Sequence, residues 1–477
     1  MAVIDMDRGA ASGLAPESLK AADGTPLKKR LAKALFVSRL RAFGLVTPLL
    51  FFLVVFFLFP ILVFMKQGIY NDDYESAMPR TAAMMTEWDG KTEPDEPYYA
   101  AVVADIIHSM ATDRPLPTKA ATRLNREESG ATSMTKRLIR QIGKFELTYA
   151  GEEMRFTALL RELEKEDEAG DPVYARTDRS EIGAAAAEEA LQKYAPFQEM
   201  VVKADKKWAD IKYWYAMQRA SQSLTGSFVL KAVDLQIDNE GSLAWQPEER
   251  QIHLTLFMRT LEISLIVAVL TFLLGYPVAY ILATLPARQA NLLLILVLLP
   301  FWTSILVRTT AWIAMLQGQG VLNDLAVFIG LTPDDARFSM IYNKTGTIIA
   351  MTHILLPFMI LPLYSVMKAI PPQYVRAAKS LGATNWTAFW RVYFPQTVPG
   401  IGAGAILVFI LAIGYYITPA LLGGSDGVMI SNIIDGHMRS TLNYSLAAAL
   451  GLVLLVFVLI CYWIYDRVVG IDNMKLG

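Results

Sequence analysis

The sequence is poor in the residues that most enzyme chemistry requires. Its single cysteine, Cys461, excludes any disulfide within the chain, and its place in an apolar run near Trp463 makes it a small packing hydrophobe. The four histidines are scattered, without metal-ligand spacing. No G-x-x-x-x-G-K-[ST] phosphate loop occurs, so any ATP hydrolysis that serves this protein belongs to a separate subunit. No basic, aromatic-interleaved face is found, which argues against a nucleic-acid partner. Charge is also scarce, at 19% of 477 residues against 54% hydrophobic, which is too apolar for an ordinary soluble protein.

What is abundant is long hydrophobic runs. Six segments reach the roughly 20 apolar residues that a bilayer crossing needs, at 43–65, 254–283, 291–316, 345–367, 400–422 and 443–465. The near-zero net charge conceals a division. Residues 66–250 hold 24 basic and 33 acidic side chains, whereas 251–477 hold only 20 charges in all. A polar domain therefore stands between the first span and the other five.

Residues 1–42 are too long and polar for a signal-peptide n-region, and no small-residue cleavage site follows the first run, which reads as a retained signal anchor. Lys28, Lys29, Arg30, Lys33, Arg39 and Arg41 precede it without an acid, so the positive-inside rule places this segment in the cytoplasm. Alternation then predicts an external domain at 66–250, an internal loop at 368–399 and an internal C-terminus. The internal loop agrees independently, with Lys368, Arg376, Lys379 and Arg391 and no acid. The expected organisation is a basic N-terminal segment (1–42), a first span (43–65), an external insert (66–250), a five-helix core (251–470) and a cytoplasmic tail (471–477).

The insert reads as helical. In 98–111, apolar residues recur at Tyr98, Val102, Ile106 and Met110, behind an acidic, proline-marked start at Asp95, Glu96 and Pro97. Residues 181–219 suggest a second long helix that Pro196 kinks or splits. The clusters 87–97 and 162–181 read as loops. Trp208, Tyr213, Trp214 and Tyr215 are expected to be core rather than a ligand cage. The net charge of minus nine fits a solvated surface, with attraction of a cationic solute or basic partner as the second reading.

The most informative stretch is YVRAAKSLGATNWTAFWRVYFP, Tyr374 to Pro395. It predicts two short helices around a glycine break. Pro371 and Pro372 suit the start, Gly382 suits a C′ position at positive φ, Asn385 caps the second helix and Pro395 stops it. A polar helix pair between spans is a docking knob for a soluble partner.

This loop resembles the EAA loop of ABC-importer permeases, whose pattern is Glu-Ala-Ala, three residues, Gly, nine residues, Ile-x-Leu-Pro. Ala377, Ala378, Gly382 and Pro395 match at that spacing, Val392 and Phe394 replace Ile and Leu, and Arg376 replaces the glutamate. GYPVAY (275–280), LPFWTSILVRTTAWIAMLQGQGVLND (299–324) and LGGSDGVMISNIIDGHM (422–438) are similar to the spermidine/putrescine-type permeases.

The resemblance implies an all-α membrane protein: six transmembrane helices with a MetI-like permease core, carrying a large, mainly helical periplasmic insert that the family pattern does not cover. It implies a second permease subunit, two cytoplasmic ATPases docked on the EAA loops (371–398 here), a periplasmic solute-binding protein and a place in the bacterial inner membrane. ATP and magnesium would then sit on the ATPases, with no cofactor in this chain. Tyr374, Arg376, Ala377, Ala378, Gly382 and Pro395 would carry the coupling.

Ionisable groups within spans are costly and attract functional readings. Glu262 reads as an interfacial carboxylate beside Arg259 or as an attractor of amines. Arg308, deep in the third span, reads as a structural or gating group, because a fixed positive charge repels polyamines. His353 reads as a helix–helix hydrogen-bonding residue. Trp302, Trp312, Tyr415 and Tyr416 offer cation–π faces, with packing the simpler role. Asp324 and Asp435 stand in short external loops where a cation could be received. Pro277, Pro357, Pro362 and Pro419 would bend their spans and free carbonyls into an interior path, with mere kinks as the equal alternative. The competing class is a membrane-anchored receptor or assembly scaffold whose external domain is the functional part. A secondary transporter is disfavoured by the lack of paired acids deep in the spans.

Overall fold

The computed structural model describes residues 27–166, 170–238 and 241–469, so residues 1–26 of the expected N-terminal segment and the expected tail 471–477 lie outside the described residues. The chain divides into two compact units, 1–64 and 65–477. A helix runs over Leu27–Leu53, takes one π turn at Val54–Leu58 and continues through Phe59–Lys66, so that all but its last two residues belong to the first unit. Its stretch from Leu35 is long and apolar enough to cross a membrane.

In the second unit, residues 70–250 build a polar helical domain around one apolar core. Its central helix, Glu96–Thr112, is buried on nearly every side, more than its expected single stripe requires. Arg176–Lys193 packs along it through Gly183, Ala186, Ala187 and Ala190, and a Cβ on Gly183 would stand 2.8 Å from the Ala111 methyl carbon. Small residues thus let two backbones approach. Pro196 does split the predicted 181–219 helix, which continues as Phe197–Ala204, a 3-10 turn at Lys206–Ala209 and Ile211–Ser221. Trp208, Tyr213 and Trp214 are buried core as expected, and the Tyr215 hydroxyl donates to the Gly90 carbonyl at 2.6 Å. Two antiparallel ribbons, Glu146–Tyr149 with Glu152–Arg155 and Leu235–Ile237 with Leu243–Trp245, were not anticipated. Strands of three or four residues are too short to show a period of two.

The apolar part contains four more long helices, His253–Thr284, Lys344–Ala369, Asn385–Ile413 and Tyr444–Val469. A bent pair, Ala287–Trp302 and Ile305–Phe328, completes six if it counts as one span. The first three pack on one another around Ile263, Val267, Met351, Leu355, Met359 and Val408.

Two spans differ from expectation. The third, expected as one run over 291–316, turns by 96° at Thr303–Ser304. Pro300 sits in a 3-10 turn there, and Thr303 answers the Pro300 carbonyl with both its N–H (3.3 Å) and its hydroxyl (2.9 Å). The break is thereby hydrogen-bonded within itself. The fifth, expected at 400–422, instead runs Asn385–Ile413, ends at Gly414 and yields to a separate short helix, Ile417–Leu422. Pro395 does not stop the preceding helix. A π turn at Phe389–Tyr393 lies just ahead of it, and the Gln396 side chain donates to the Val392 carbonyl at 2.6 Å, so the chain passes through the proline without a break.

Candidate functional site

The loop between the Lys344–Ala369 and Asn385–Ile413 helices forms as the helix–glycine–helix knob that its residues predict. Pro371 and Pro372 open the helix Pro372–Ser380, and Gly382 ends it at φ +91°, in the left-handed region that favours glycine. The cap of the next helix is Thr384 rather than Asn385. The Thr384 hydroxyl accepts from the Thr387 N–H at 3.2 Å, while Asn385 is already helical.

Tyr374, Arg376, Ala377, Gly382 and Pro395 are exposed, and Ala378 is half-buried. At the tip, Leu381 is 89% exposed and Trp386 71%. Apolar side chains raised on a polar loop are what a docking contact uses. Behind the knob lies a groove of about 870 Å³, not legible in the sequence because one wall, Tyr280 to Thr284, comes from the end of the His253–Thr284 helix, far from the loop in the chain. Tyr280, Phe389 and Tyr393 line it together with Lys368, Arg376 and Lys379. Lys368 donates to the Ala283 carbonyl at 3.2 Å, and none of the three cations has an ion-pair partner among the described residues.

The residues expected along a solute path take part in several local sets of contacts. Arg308 follows the break in the third span, and its Nη2 donates to the Thr303 carbonyl at 3.3 Å, which ties the second half of the span to the turn. The Trp312 indole donates to His353 Nδ1 at 3.1 Å, and Arg308 lies within electrostatic reach of His353 and Tyr415. Thr309 and Thr418 meet at 3.4 Å beside them. His353 is thus the interhelical hydrogen-bonding residue that was expected. The carbonyls of Tyr415 and Tyr416 accept from Ser431 and Asn432, each at 2.7 Å, which pins the helix Ile430–Arg439 to that turn.

Every acid offered as a cation receiver is already paired. Glu262 bonds Lys344 and not Arg259, whose guanidinium donates to the Ser425 carbonyl at 2.8 Å. Asp324 pairs with Arg337 at 2.6 Å and Asp435 with Arg439 at 2.6 Å. Trp302 is 75% exposed. Among the described residues no group of three or more His, Cys, Asp or Glu could hold a metal ion.

Five to six elements long and apolar enough to cross a membrane, with an exposed helix–glycine–helix loop between two of them, are the frame of a multi-pass membrane component. Residues 254–469 match the family described as "Binding-protein-dependent transport system inner membrane component", and the chain belongs to that family. It is 33% identical over 217 residues to the spermidine/putrescine transport system permease protein PotB of Haemophilus influenzae, covering 46% of this chain and 75% of that protein. PotB of Escherichia coli is 32% identical over 222 residues, covering 46% and 80%. The molybdenum transport system permease protein ModB of Mycobacterium bovis is 30% identical over 189 residues, covering 39% and 69%. The family match begins after the polar domain.

Proposed function

We propose that this chain is one permease subunit of an ATP-driven importer, forming half of a translocation path with a second permease subunit. Solute arrives from a periplasmic binding protein, and two cytoplasmic ATPases, which hold ATP and magnesium, dock one on the loop 371–398 of this chain and one on the corresponding loop of the second permease. This orientation puts residues 66–250 outside and both termini inside. The observation that carries the reading is the knob itself: a glycine at φ +91° joins an exposed helix to one that continues unbroken into a span. Displacement of the knob by a closing ATPase pair would be transmitted along Asn385–Ile413 into the packed core. Small side chains at Ala377 and Ala378 permit close approach by a partner.

The solute is a polyamine or a related amino compound, a reading supported by the likeness to the two PotB proteins. The paired acids of the path offer it no free carboxylate, so selection rests with the binding protein. Calorimetric titration of that protein with a panel of amines and amino acids tests the solute class, and binding of an oxyanion in preference to every amine would reject it.

Substituting Gly382, or the Ala377/Ala378 pair with bulky residues, should abolish uptake while leaving membrane insertion intact. Normal uptake with normal ATPase co-purification in these variants would sink the coupling assignment.

A further inference from the structure

We propose that the groove behind the knob receives a carboxylate-bearing segment of the ATPase, so that the coupling joint of this protein is electrostatically positive on the permease side. The proposal rests on the coupling assignment above and specifies its chemistry.

Three observations carry it. Lys368, Arg376 and Lys379 line one groove of about 870 Å³, so three positive charges converge on a single opening. No acid can neutralise them locally: the sequence has no Asp or Glu between Asp335 and Asp426, and no ion pair reaches the three cations from elsewhere among the described residues. The groove's aromatic side, Tyr280, Phe389 and Tyr393, lowers the local dielectric beside the cations and strengthens their pull on an anion. A concave, aromatic-walled site with converging cations is complementary to Asp or Glu side chains, and Arg376 can bind one bidentately. The exposed Leu381 and Trp386 flank the same loop and supply an apolar contact that a diffusible anion does not need. This favours a protein surface over a small solute.

The test uses the intact transporter purified with its ATPase. Zero-length carbodiimide coupling joins a lysine amine to a carboxylate in contact with it, so peptide mapping should find Lys379 or Lys368 joined to an Asp or Glu of the ATPase. Arg376→Glu and the double variant Arg376→Glu/Lys379→Glu should weaken ATPase retention by about tenfold or more, and raised salt should weaken the wild-type complex likewise. Lysine at the mapped ATPase carboxylate should restore retention to Arg376→Glu.

If the ATPase co-purifies but retention is unchanged in both variants and no such crosslink forms, the groove proposal is overturned while the coupling assignment stands. If retention requires added anionic lipid and the crosslink is missing, the cations serve a membrane surface and the proposal is again overturned. If no ATPase co-purifies with wild type, the coupling assignment itself fails.

Discussion

Glu127 shows how one side chain organises the polar domain. It is almost completely buried, pairs with Arg123 at 2.5 Å and Lys231 at 2.7 Å, accepts from the Ser227 hydroxyl at 2.9 Å and has Arg219 at 3.9 Å. Arg123 also lies over the Phe228 ring at 4.8 Å. Burial alone would raise the Glu127 carboxyl, but Lys231 and Arg123 outweigh it and hold the group down at about 2. A carboxyl depressed on folding contributes stability that is present above its unfolded value near 4.5 and is lost as pH falls towards 2. The loss is about 3 kcal/mol over that window. Asp105 acts with the opposite sign. Burial lifts it to about 6 although it accepts bonds from Thr81 and Arg80, so its contribution weakens as pH rises from about 4 to about 6. Urea titrations of the purified protein, followed by tryptophan emission, should show the midpoint falling below pH 4.5. Glu127→Gln should be less stable at neutral pH and lose much of the slope across the acid window; an unchanged acid slope in that variant would refute the assignment. Only the Arg123–Glu127 pair follows a local spacing, four residues apart on one helix; Ser227 and Lys231 lie 100 and 104 residues from Glu127, and no local pattern joins them.

At the scale of elements, the spans pack through absent side chains. A Cβ on Gly404 would meet the Met359 sulfur at 2.7 Å and the Met359 carbonyl at 3.2 Å, and one on Gly400 would meet Val366 at 3.0 Å. Without a hydrophobic drive between helices in lipid, close backbone approach is what stabilises them. Gly404→Val should therefore cost about 1–3 kcal/mol by overpacking, read as a lower melting temperature in detergent. Met359→Ala should recover part of the loss, and failure to do so would place the strain elsewhere. Span existence was readable because length and hydrophobicity alone decide it. The break at Thr303–Ser304 and the passage through Pro395 were not readable, because a proline can end, bend or pass through a helix according to its surroundings. Pro300 precedes a 96° turn whereas Pro395 follows a π turn and lies within a continuous helical run, and nothing in either run of residues announces the difference. The helix–glycine–helix form of the knob and the positive φ of Gly382 were legible, since their determinants are local, whereas the cap fell one residue earlier, on Thr384, and Pro395 did not stop the second helix. The groove behind the knob was not legible, because Tyr280 and Lys368 reach it from two other helices.

At the scale of the molecule, the polar domain is bonded to the ends of two spans. Asn71 donates to the Ser445 hydroxyl at 3.1 Å, and Arg126 donates to the Leu442 carbonyl at 3.1 Å. Phe228 and Ala232 pack with Ala449 and Leu450, and a Cβ on Gly68 would stand 2.8 Å from the Ala449 nitrogen. Asp234 accepts from the His253 and Leu254 N–H groups at 3.1 and 2.8 Å, closing the first turn of the second span. A receptor hung on an inert mount would not need contacts at the ends of two separate spans. A domain that moves with the last span would. Cysteines at Asn71 and Ser445, introduced in a Cys461→Ser background, test this directly when joined through disulfides by a short bis-thiosulfonate reagent. Uptake should persist after linking, because the two positions keep one distance through the transport cycle. Loss of uptake on linking, with recovery on reduction, would show instead that the domain must part from the last span for solute to pass.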